Sequence, residues 1–184
     1  MKASPTALPG VLLLDPTVRA DARGSFYESY RADVFKALGI GCAFVQENHS
    51  TSSRGVLRGL HYQRQHAQDK LIRVVQGEIF DVAVDIRRGS PTFGKWAGEI
   101  LSGANRRQMY VPAGFAHGFL VLSETAEFLY KCSDFYAPGE ERGIAWNDPQ
   151  IGIAWPLNGR TPQLHQRDSA YPKLADALEK DLPA

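Results

Sequence analysis

The feature that most constrains this chain is a strict alternation of large apolar side chains with small or charged ones between Phe80 and Arg87. Within it, Val82, Val84 and Ile86 follow Phe80 at every second position. A period of two residues is typical of a β-strand with one buried face. We therefore expect a sheet protein in which these apolar side chains form the buried face of one strand.

Short β-branched or alternating segments recur along the rest of the chain at a spacing of roughly 8–12 residues, which is typical of β-sandwiches and barrels. Helical patterns are sparse. Asp33 is predicted to cap a short helix that ends before Gly39, and residues 169–180 are predicted to hold another. No helix-period segment separates the strands, which disfavours an α/β fold. The other predicted strands are 43–47, 56–63, 71–76, 95–101, 108–111, 118–122 and 127–132.

Bulk composition excludes several classes of protein. The chain has 184 residues, which fits one domain, and its 21 basic and 20 acidic residues give a net charge of +1. That balance provides no basic field for nucleic acid. Cys42 and Cys132 are too few for a disulfide framework, so reduced thiols are expected. We see no signal peptide and no apolar run near the roughly 20 residues of a membrane span, and we expect a cytoplasmic protein.

Residues 56–63 carry polar side chains that a plain sheet does not need. Strict alternation places His61 and Gln63 on one face beside Gly59, with Arg58 on the opposite face. A glycine within a strand often marks the close approach of a ligand or of another backbone segment. By residue type alone, a single histidine in a strand is more often structural than catalytic.

The set of polar residues suits proton transfer better than other reactions. Histidine is the natural general base near neutral pH, lysine and arginine stabilise oxyanions or phosphates, and tyrosine can donate a proton. The sequence has no Gly-x-Ser-x-Gly elbow, phosphate-binding glycine loop or dinucleotide fingerprint, so acyl transfer, nucleotide hydrolysis and hydride transfer lose support. Proton abstraction beside a carbonyl group remains.

A metal centre is not expected. Metal-binding jelly rolls of the cupin type often use a His-x-His pair, a carboxylate and a further histidine. Here Gln63 stands two residues after His61, where the second histidine would be, and His117 is isolated. Two scattered histidines make a poor transition-metal site.

Several motifs in order along one chain resemble the dTDP-4-dehydrorhamnose 3,5-epimerase family. The resemblance runs from about residue 9 to residue 168. Each motif alone is a weak signal, and their combination in the same order is a strong one. The motifs are Arg23-Gly24-x-Phe26, Val45-Gln46-x-Asn48-His49-Ser50, VLRGLHYQ at 56–63, GEIFDVAVD at 77–85, Ser90-Pro91-Thr92-Phe93-Gly94, Pro112-x-Gly114-Phe115-Ala116-His117-Gly118-Phe119 and Trp146-Asn147-Asp148-Pro149.

This resemblance implies an all-β, cupin-type double-stranded jelly-roll β-sandwich with a few short helices. It implies one domain over 1–184, with an N-terminal strand extension and a C-terminal helical tail. It also implies a homodimer that uses no metal and no cofactor. The implied reaction converts dTDP-4-dehydro-6-deoxy-D-glucose to dTDP-4-dehydro-6-deoxy-L-mannose by inverting carbons 3 and 5, in dTDP-L-rhamnose biosynthesis.

The resemblance also implies the catalytic roles. His61 corresponds to the general base, and Asp168 to the carboxylate that orients it. Lys70 would stabilise the enolate, and Tyr130 would return a proton from the opposite face of the sugar. The residues expected to bind the substrate are Arg23, Phe26, Glu28, Gln46, Glu47, Asn48, Arg58, Gln63, Lys70, His117, Glu141 and Arg167.

Two positions depart from the usual pattern of the family. Glu47 stands where aspartate is usual, and Arg167 where lysine is common, so both keep their charge but change reach and donor geometry. His49, His66 and His165 receive no catalytic role.

Three other readings stay open from the sequence. The first is a relative that inverts one carbon only or acts on another 4-keto nucleotide sugar. The second is a non-catalytic module that binds a sugar or nucleotide on the same scaffold. The third is a metal-dependent cupin oxygenase.

Overall fold

Strands dominate the computed structural model, which describes residues 1–177 and 181–183. Two short helices and two 3₁₀ turns accompany them in this part of the chain. The strands are β1 (Lys2–Pro5), β2 (Leu12–Asp15), β3 (Arg19–Asp21), β4 (Gly24–Phe26), β5 (Gln46–Ser53), β6 (Leu57–Gln63), β7 (Lys70–Gln76), β8 (Glu78–Asp85), β9 (Trp96–Ser102), β10 (Gln108–Val111), β11 (Phe115–Val121), β12 (Thr125–Cys132) and β13 (Glu141–Gly143). The helices are α1 (Ala32–Ala37) and α2 (Gln166–Ser169), and the 3₁₀ turns are Pro138–Glu140 and Leu174–Asp176.

Two antiparallel sheets form a sandwich. One has six strands in the order β1-β2-β10-β7-β12-β5, and the other has five in the order β13-β6-β11-β8-β9. Strands β3 and β4 pair as a separate hairpin. The predicted cupin-type double-stranded jelly roll is therefore confirmed.

The main core lies between the two sheets. Ile72 and Phe128 project into it from the six-stranded sheet, and Ile79 and Phe119 from the five-stranded sheet. The rings of Phe119 and Phe128 meet edge to face with centroids 4.5 Å apart, which is a favourable geometry for aromatic side chains.

Most of the alternating segment 80–87 lies in strand β8, but its apolar side does not face the main core. Val82 and Val84 pack on the outer face of the five-stranded sheet, under Ile151 and Leu174 of the C-terminal segment. The alternate side, which includes the fully buried Asp81, faces the six-stranded sheet. The expectation of one buried face was wrong because the C-terminal segment covers the second face.

Two local predictions are corrected. The strand predicted over 43–47 is β5, which begins at Gln46 and ends at Ser53. It lies at the edge of its sheet, so its side chains are mostly polar and its sequence lacks the apolar alternation of a central strand. Asp33 does not cap α1 but lies in its first turn, where its carboxylate accepts a hydrogen bond from Val34 N–H, and Arg31 is the N-cap. The other predicted strands overlap the observed ones.

The C-terminal helix predicted over 169–180 is absent from its described part. Helix α2 ends at Ser169, and only the 3₁₀ turn Leu174–Asp176 follows; residues 178–180 lie outside the described residues. Cys42 and Cys132 are free thiols. No helix in the described ranges has the length and apolar character needed to cross a membrane.

Candidate active site

A cavity of about 730 Å³ lies between the inner faces of the two sheets. The five-stranded sheet contributes His61 from β6 and His117 from β11. The six-stranded sheet contributes Lys70 from β7 and Tyr130 from β12 on the other wall. All four were predicted to belong to one site, and the fold places them around one cavity.

His61 forms a close pair with Asp168. Its Nε2 lies 2.8 Å from Asp168 Oδ1, and the carboxylate side chain is only 2% exposed while the imidazole is 22% exposed. Burial opposes ionisation of Asp168, but the hydrogen bonds from His61 and from Gly59 N–H hold its pKa below the ordinary value. An ionised aspartate fixes which ring nitrogen carries hydrogen, and it leaves the second ring nitrogen free to take a proton.

Lys70 and Tyr130 have protonation equilibria shifted by the cavity. Burial lowers the pKa of Lys70, while Cys132, Glu141 and Asp81 act in the opposite direction. Burial is also the main cause that raises the pKa of Tyr130, so its phenol stays protonated at neutral pH. No described residue accepts a hydrogen bond from the Lys70 ammonium group. A lysine amino group and a neutral phenol thus face the cavity.

Arg58 reaches the cavity because β6 is irregular. The pairing of β6 with β11 shifts by one residue between His61 and Arg58, and Gly59 at this shift has φ = +129°. Arg58 therefore lines the same cavity as His61, and the sequence prediction of opposite faces was wrong. Gly59 is needed for the close approach of backbone, because a Cβ there would lie 2.6 Å from Gly118 Cα.

Charged and polar groups surround His61 in the cavity. Glu141 Oε2 accepts hydrogen bonds from Arg167 Nη1 and from the Tyr136 hydroxyl, both at 2.6 Å. Gln46 and Asn48 line the cavity from β5, and their side chains are linked by a hydrogen bond of 3.1 Å. The resulting rim is rich in donors suited to phosphate, sugar and base groups.

Gln63 was predicted to bind substrate, and it lines the cavity. Its amide groups, however, are bound to backbone. Nε2 donates to the carbonyl oxygens of His66 and Phe135, and Oε1 accepts from Ala137 N–H. Gln63 therefore fixes the loop that carries Tyr136.

Four predicted substrate-binding residues are not part of this cavity. Arg23 and Phe26 lie on the β3–β4 hairpin, where Arg23 pairs with Asp21 and the Phe26 ring is 72% exposed. Glu28 pairs with Arg31 near α1. The fourth, Glu47, also lies outside the cavity. Alternation along β5 turns it away from Gln46 and Asn48, onto the sheet face where it pairs with Lys131 at 2.7 Å.

Sequence reasoning missed further residues of the site or its support, among them two tyrosines and a glutamine. Tyr136 lies in the loop after β12, Gln68 lies in the loop before β7, and Tyr171 packs behind His61. Loop positions carry no periodicity that could have marked the first two. Tyr171 packs over Gly143, which lies 28 positions earlier in the chain, so no local pattern connects the two residues.

The described residues offer no group of three or more His, Cys, Asp or Glu side chains placed to hold a metal ion. His117 Nε2 instead lies 2.8 Å from Asp81 Oδ1, inside the sandwich. Gln63 stands two residues after His61, where a metal-binding cupin often has its second histidine. Its side chain is hydrogen-bonded to the loop that carries Tyr136.

Fold and cavity together define a cupin-type β-sandwich that can supply a base, a proton donor and a cation for an oxyanion around one ligand. Residues 5–176 match the family described as dTDP-4-dehydrorhamnose 3,5-epimerase. The protein of that name from Pseudomonas aeruginosa is 59% identical over 96% of this chain and 98% of its own length. The one from Salmonella typhimurium is 55% identical over 94% and 95%.

A solved structure shows the same relationship. The crystal structure of a dTDP-6-deoxy-D-glucose-3,5-epimerase from Legionella pneumophila, in complex with dTDP-4-keto-L-rhamnose, is 50% identical. It superposes with a TM-score of 0.96 and covers 99% of this chain and 97% of that one. The chain belongs to the dTDP-4-dehydrorhamnose 3,5-epimerase family. The predicted class of enzyme, a carbohydrate epimerase, is confirmed.

Proposed function

We propose that this chain converts dTDP-4-dehydro-6-deoxy-D-glucose to dTDP-4-dehydro-6-deoxy-L-mannose in dTDP-L-rhamnose biosynthesis, with His61 as the base. The observation that carries this assignment is the 2.8 Å contact between His61 and the buried Asp168. The carboxylate orients the ring and stabilises the imidazolium that forms when a proton is taken. Of these two side chains, the imidazole is the more exposed, and it lines the cavity.

The proton steps follow from the two walls of the cavity. His61 takes the proton from carbon 3 or 5, and the electron pair moves to the 4-keto oxygen as an enolate. Lys70 stabilises that oxyanion, and an oxyanion donor is typically worth about 10²–10³ in rate. Tyr130, on the opposite sheet, returns a proton to the other face of the carbon. Both groups then exchange protons with solvent before the second carbon reacts.

Substrate binding would use the donors on the rim. Arg58 and Arg167 line the cavity. They would bond the diphosphate, because a guanidinium can bond two oxygens at once. His117, Gln46, Asn48 and Glu141 complete the part of the binding site that one chain supplies.

A second copy of the chain would complete the nucleotide end of the site. Arg23 and Phe26 carry family motifs, yet they lie on a projecting hairpin away from this cavity. An exposed aromatic beside an arginine suits a base and its phosphates. We therefore propose a homodimer in which the hairpin of one protomer reaches the cavity of the other, with Glu28 following it. The cytoplasmic location stays a prediction.

The reaction is tested by incubating the substrate with the protein in D₂O. We expect deuterium at carbons 3 and 5 of the product, measured by NMR, and no exchange with His61→Ala. Deuterium at one carbon only would replace the double epimerase with a single-carbon relative. Binding without any exchange by the wild-type protein would indicate a non-catalytic module and would refute the proposal.

The dimer is tested with two inactive variants, Arg23→Ala and His61→Ala, co-expressed with different tags. If the hairpin acts on the partner's cavity, each mixed dimer contains one site without either change. Mixed preparations should then recover roughly a quarter of the wild-type activity. Recovery of no activity in purified mixed dimers would contradict this arrangement.

A further inference from the structure

Tyr171 packs directly against the imidazole of His61. The two rings meet edge to face, with centroids 5.7 Å apart and planes at 73°. Tyr171 is not among the residues that line the cavity, so it supports the imidazole from outside the space where a substrate would lie.

The room for this ring comes from a glycine on the neighbouring strand. Gly143 in β13 pairs with His61 in β6 across the sheet. A Cβ built at Gly143 would overlap carbon atoms of the Tyr171 ring, and the three nearest atoms it meets all belong to that ring. An aromatic side chain laid over a glycine of an edge strand replaces the side chain that the glycine lacks. The absence of a side chain at position 143 of β13 therefore leaves the space through which Tyr171 reaches His61.

The phenol hydroxyl does not explain why a tyrosine ring is held there. It is buried and has no hydrogen-bond partner among the described residues. Burial is also the main reason that the pKa of Tyr171 rises to about 12, while Arg167 acts against this shift. A buried hydroxyl without a partner costs stability. The contribution of Tyr171 therefore lies in the shape and position of its ring.

The same short segment holds both neighbours of the imidazole. Helix α2 carries Asp168, whose second oxygen accepts a hydrogen bond of 3.4 Å from Gly59 N–H. Just beyond Tyr171, the carbonyl oxygen of Pro172 accepts a hydrogen bond of 2.7 Å from Ala145 N–H, which ties the segment to the chain just after β13. Asp168 thus holds one ring nitrogen of His61 by a hydrogen bond. A single hydrogen bond leaves the imidazole free to rotate about that bond, and the contact with Tyr171 restricts this rotation.

We propose that Tyr171 is a positioning residue for the base: its ring, seated over Gly143, holds the plane of the His61 imidazole so that its free nitrogen meets the sugar carbon. This inference rests on the proposed role of His61. A misplacement of about 1 Å at a reacting group can cost as much as 10²-fold in rate.

The test compares Tyr171→Ala with the matched variant Tyr171→Phe, measuring kcat and KM for epimerisation. Tyr171→Ala should lower kcat by about 10–100-fold, because the imidazole loses its backing. KM should stay within about threefold, because no substrate contact is removed. Tyr171→Phe keeps the ring and should keep kcat within about twofold. Wild-type kcat in Tyr171→Ala, or an equal loss in Tyr171→Phe, would overturn the proposal.

Gly143→Ala provides a second route that removes no atom and therefore carries the test if Tyr171→Ala does not fold. The added methyl group displaces the ring, and kcat should fall. In the double variant Gly143→Ala/Tyr171→Ala the methyl group no longer meets the ring, so kcat should equal that of Tyr171→Ala alone. Fully additive losses would show that the methyl group does not act through the Tyr171 ring, which would overturn the seating of that ring over Gly143.

The two proposals fail in different ways. If His61→Ala retained deuterium exchange, the assignment of the base would fall regardless of the Tyr171 variants. If His61→Ala were inactive while Tyr171→Ala and Gly143→Ala kept wild-type kcat, only the positioning role would fall.

Discussion

Two histidine–carboxylate pairs lie side by side in this sandwich and share the same contact distance. His61 and His117 are partners across β6 and β11, and each has Nε2 at 2.8 Å from an aspartate Oδ1. Their depths differ: the imidazole is 22% exposed at His61 but 10% exposed at His117.

The carboxylates of the two pairs also differ in their surroundings. Asp168 comes from a segment 107 positions away and has a second donor in Gly59 N–H. Asp81 lies on β8, next to β11 in the same sheet, and its Oδ2 has no hydrogen-bond partner among the described residues. The comparison teaches that the same chemical pair can stand in different surroundings: the more exposed imidazole has a carboxylate with a second donor, and the deeper one has a carboxylate with one oxygen unpartnered.

The largest expected effect separates the two histidines. His61→Ala should lower deuterium exchange at both carbons by about 10²–10⁴-fold or more, because the base is lost. His117→Ala should retain measurable exchange, since substrate contacts are weakened but the base remains. NMR-detected exchange of both variants, with circular dichroism to confirm folding, checks this order. The reverse order would make His117 the base.

A smaller effect separates the two aspartates. Asp168→Asn should lower kcat by about 10²-fold, because the neutral amide stabilises the imidazolium less and orients the ring less well. Asp81→Asn should lower kcat by less, since its partner His117 is not the base. Equal losses of kcat in the two variants would remove the distinction between the pairs.

The smallest effect concerns acid stability. The pKa of Asp168 is lower in the folded protein than its ordinary value of 3.8. Below that value the unfolded chain binds a proton before the folded chain does. The ionised form therefore stabilises the fold above about pH 4, and this contribution is lost as the pH falls through the folded pKa. Urea unfolding between pH 3 and pH 7 should show a steeper acid loss for the wild type than for Asp168→Asn; parallel curves would argue against an ionised Asp168.

The family resemblance implied which residues form the site, and local alternation accounts for where some of them lie. In β12, a period of two places Phe128, Tyr130 and Cys132 on one face, and all three face the interior. Lys70 and Ile72 share the inner face of β7 for the same reason. Such positions depend only on neighbours in sequence.

Other positions could not be predicted, because they depend on strand register and on packing between distant segments, which the alternation of side chains does not specify. Arg58 shares the cavity with His61 only because the β6–β11 pairing shifts at Gly59. The apolar side of β8 faces outward only because the C-terminal segment covers it. Arg23 and Phe26 carry recognisable motifs, but the fold of a single chain leaves them on a separate hairpin.

The sequence by itself determined that this chain is a β-sandwich of the epimerase family, because period-two patterns and ordered motifs are properties of neighbouring residues. The family resemblance also implied that Asp168 pairs with His61, whereas only the tertiary structure decided that Gly143 admits Tyr171 and that His117 lies deeper than His61. These contacts join segments far apart in the chain, and their geometry is set by sheet register and packing, which no local pattern of side chains specifies.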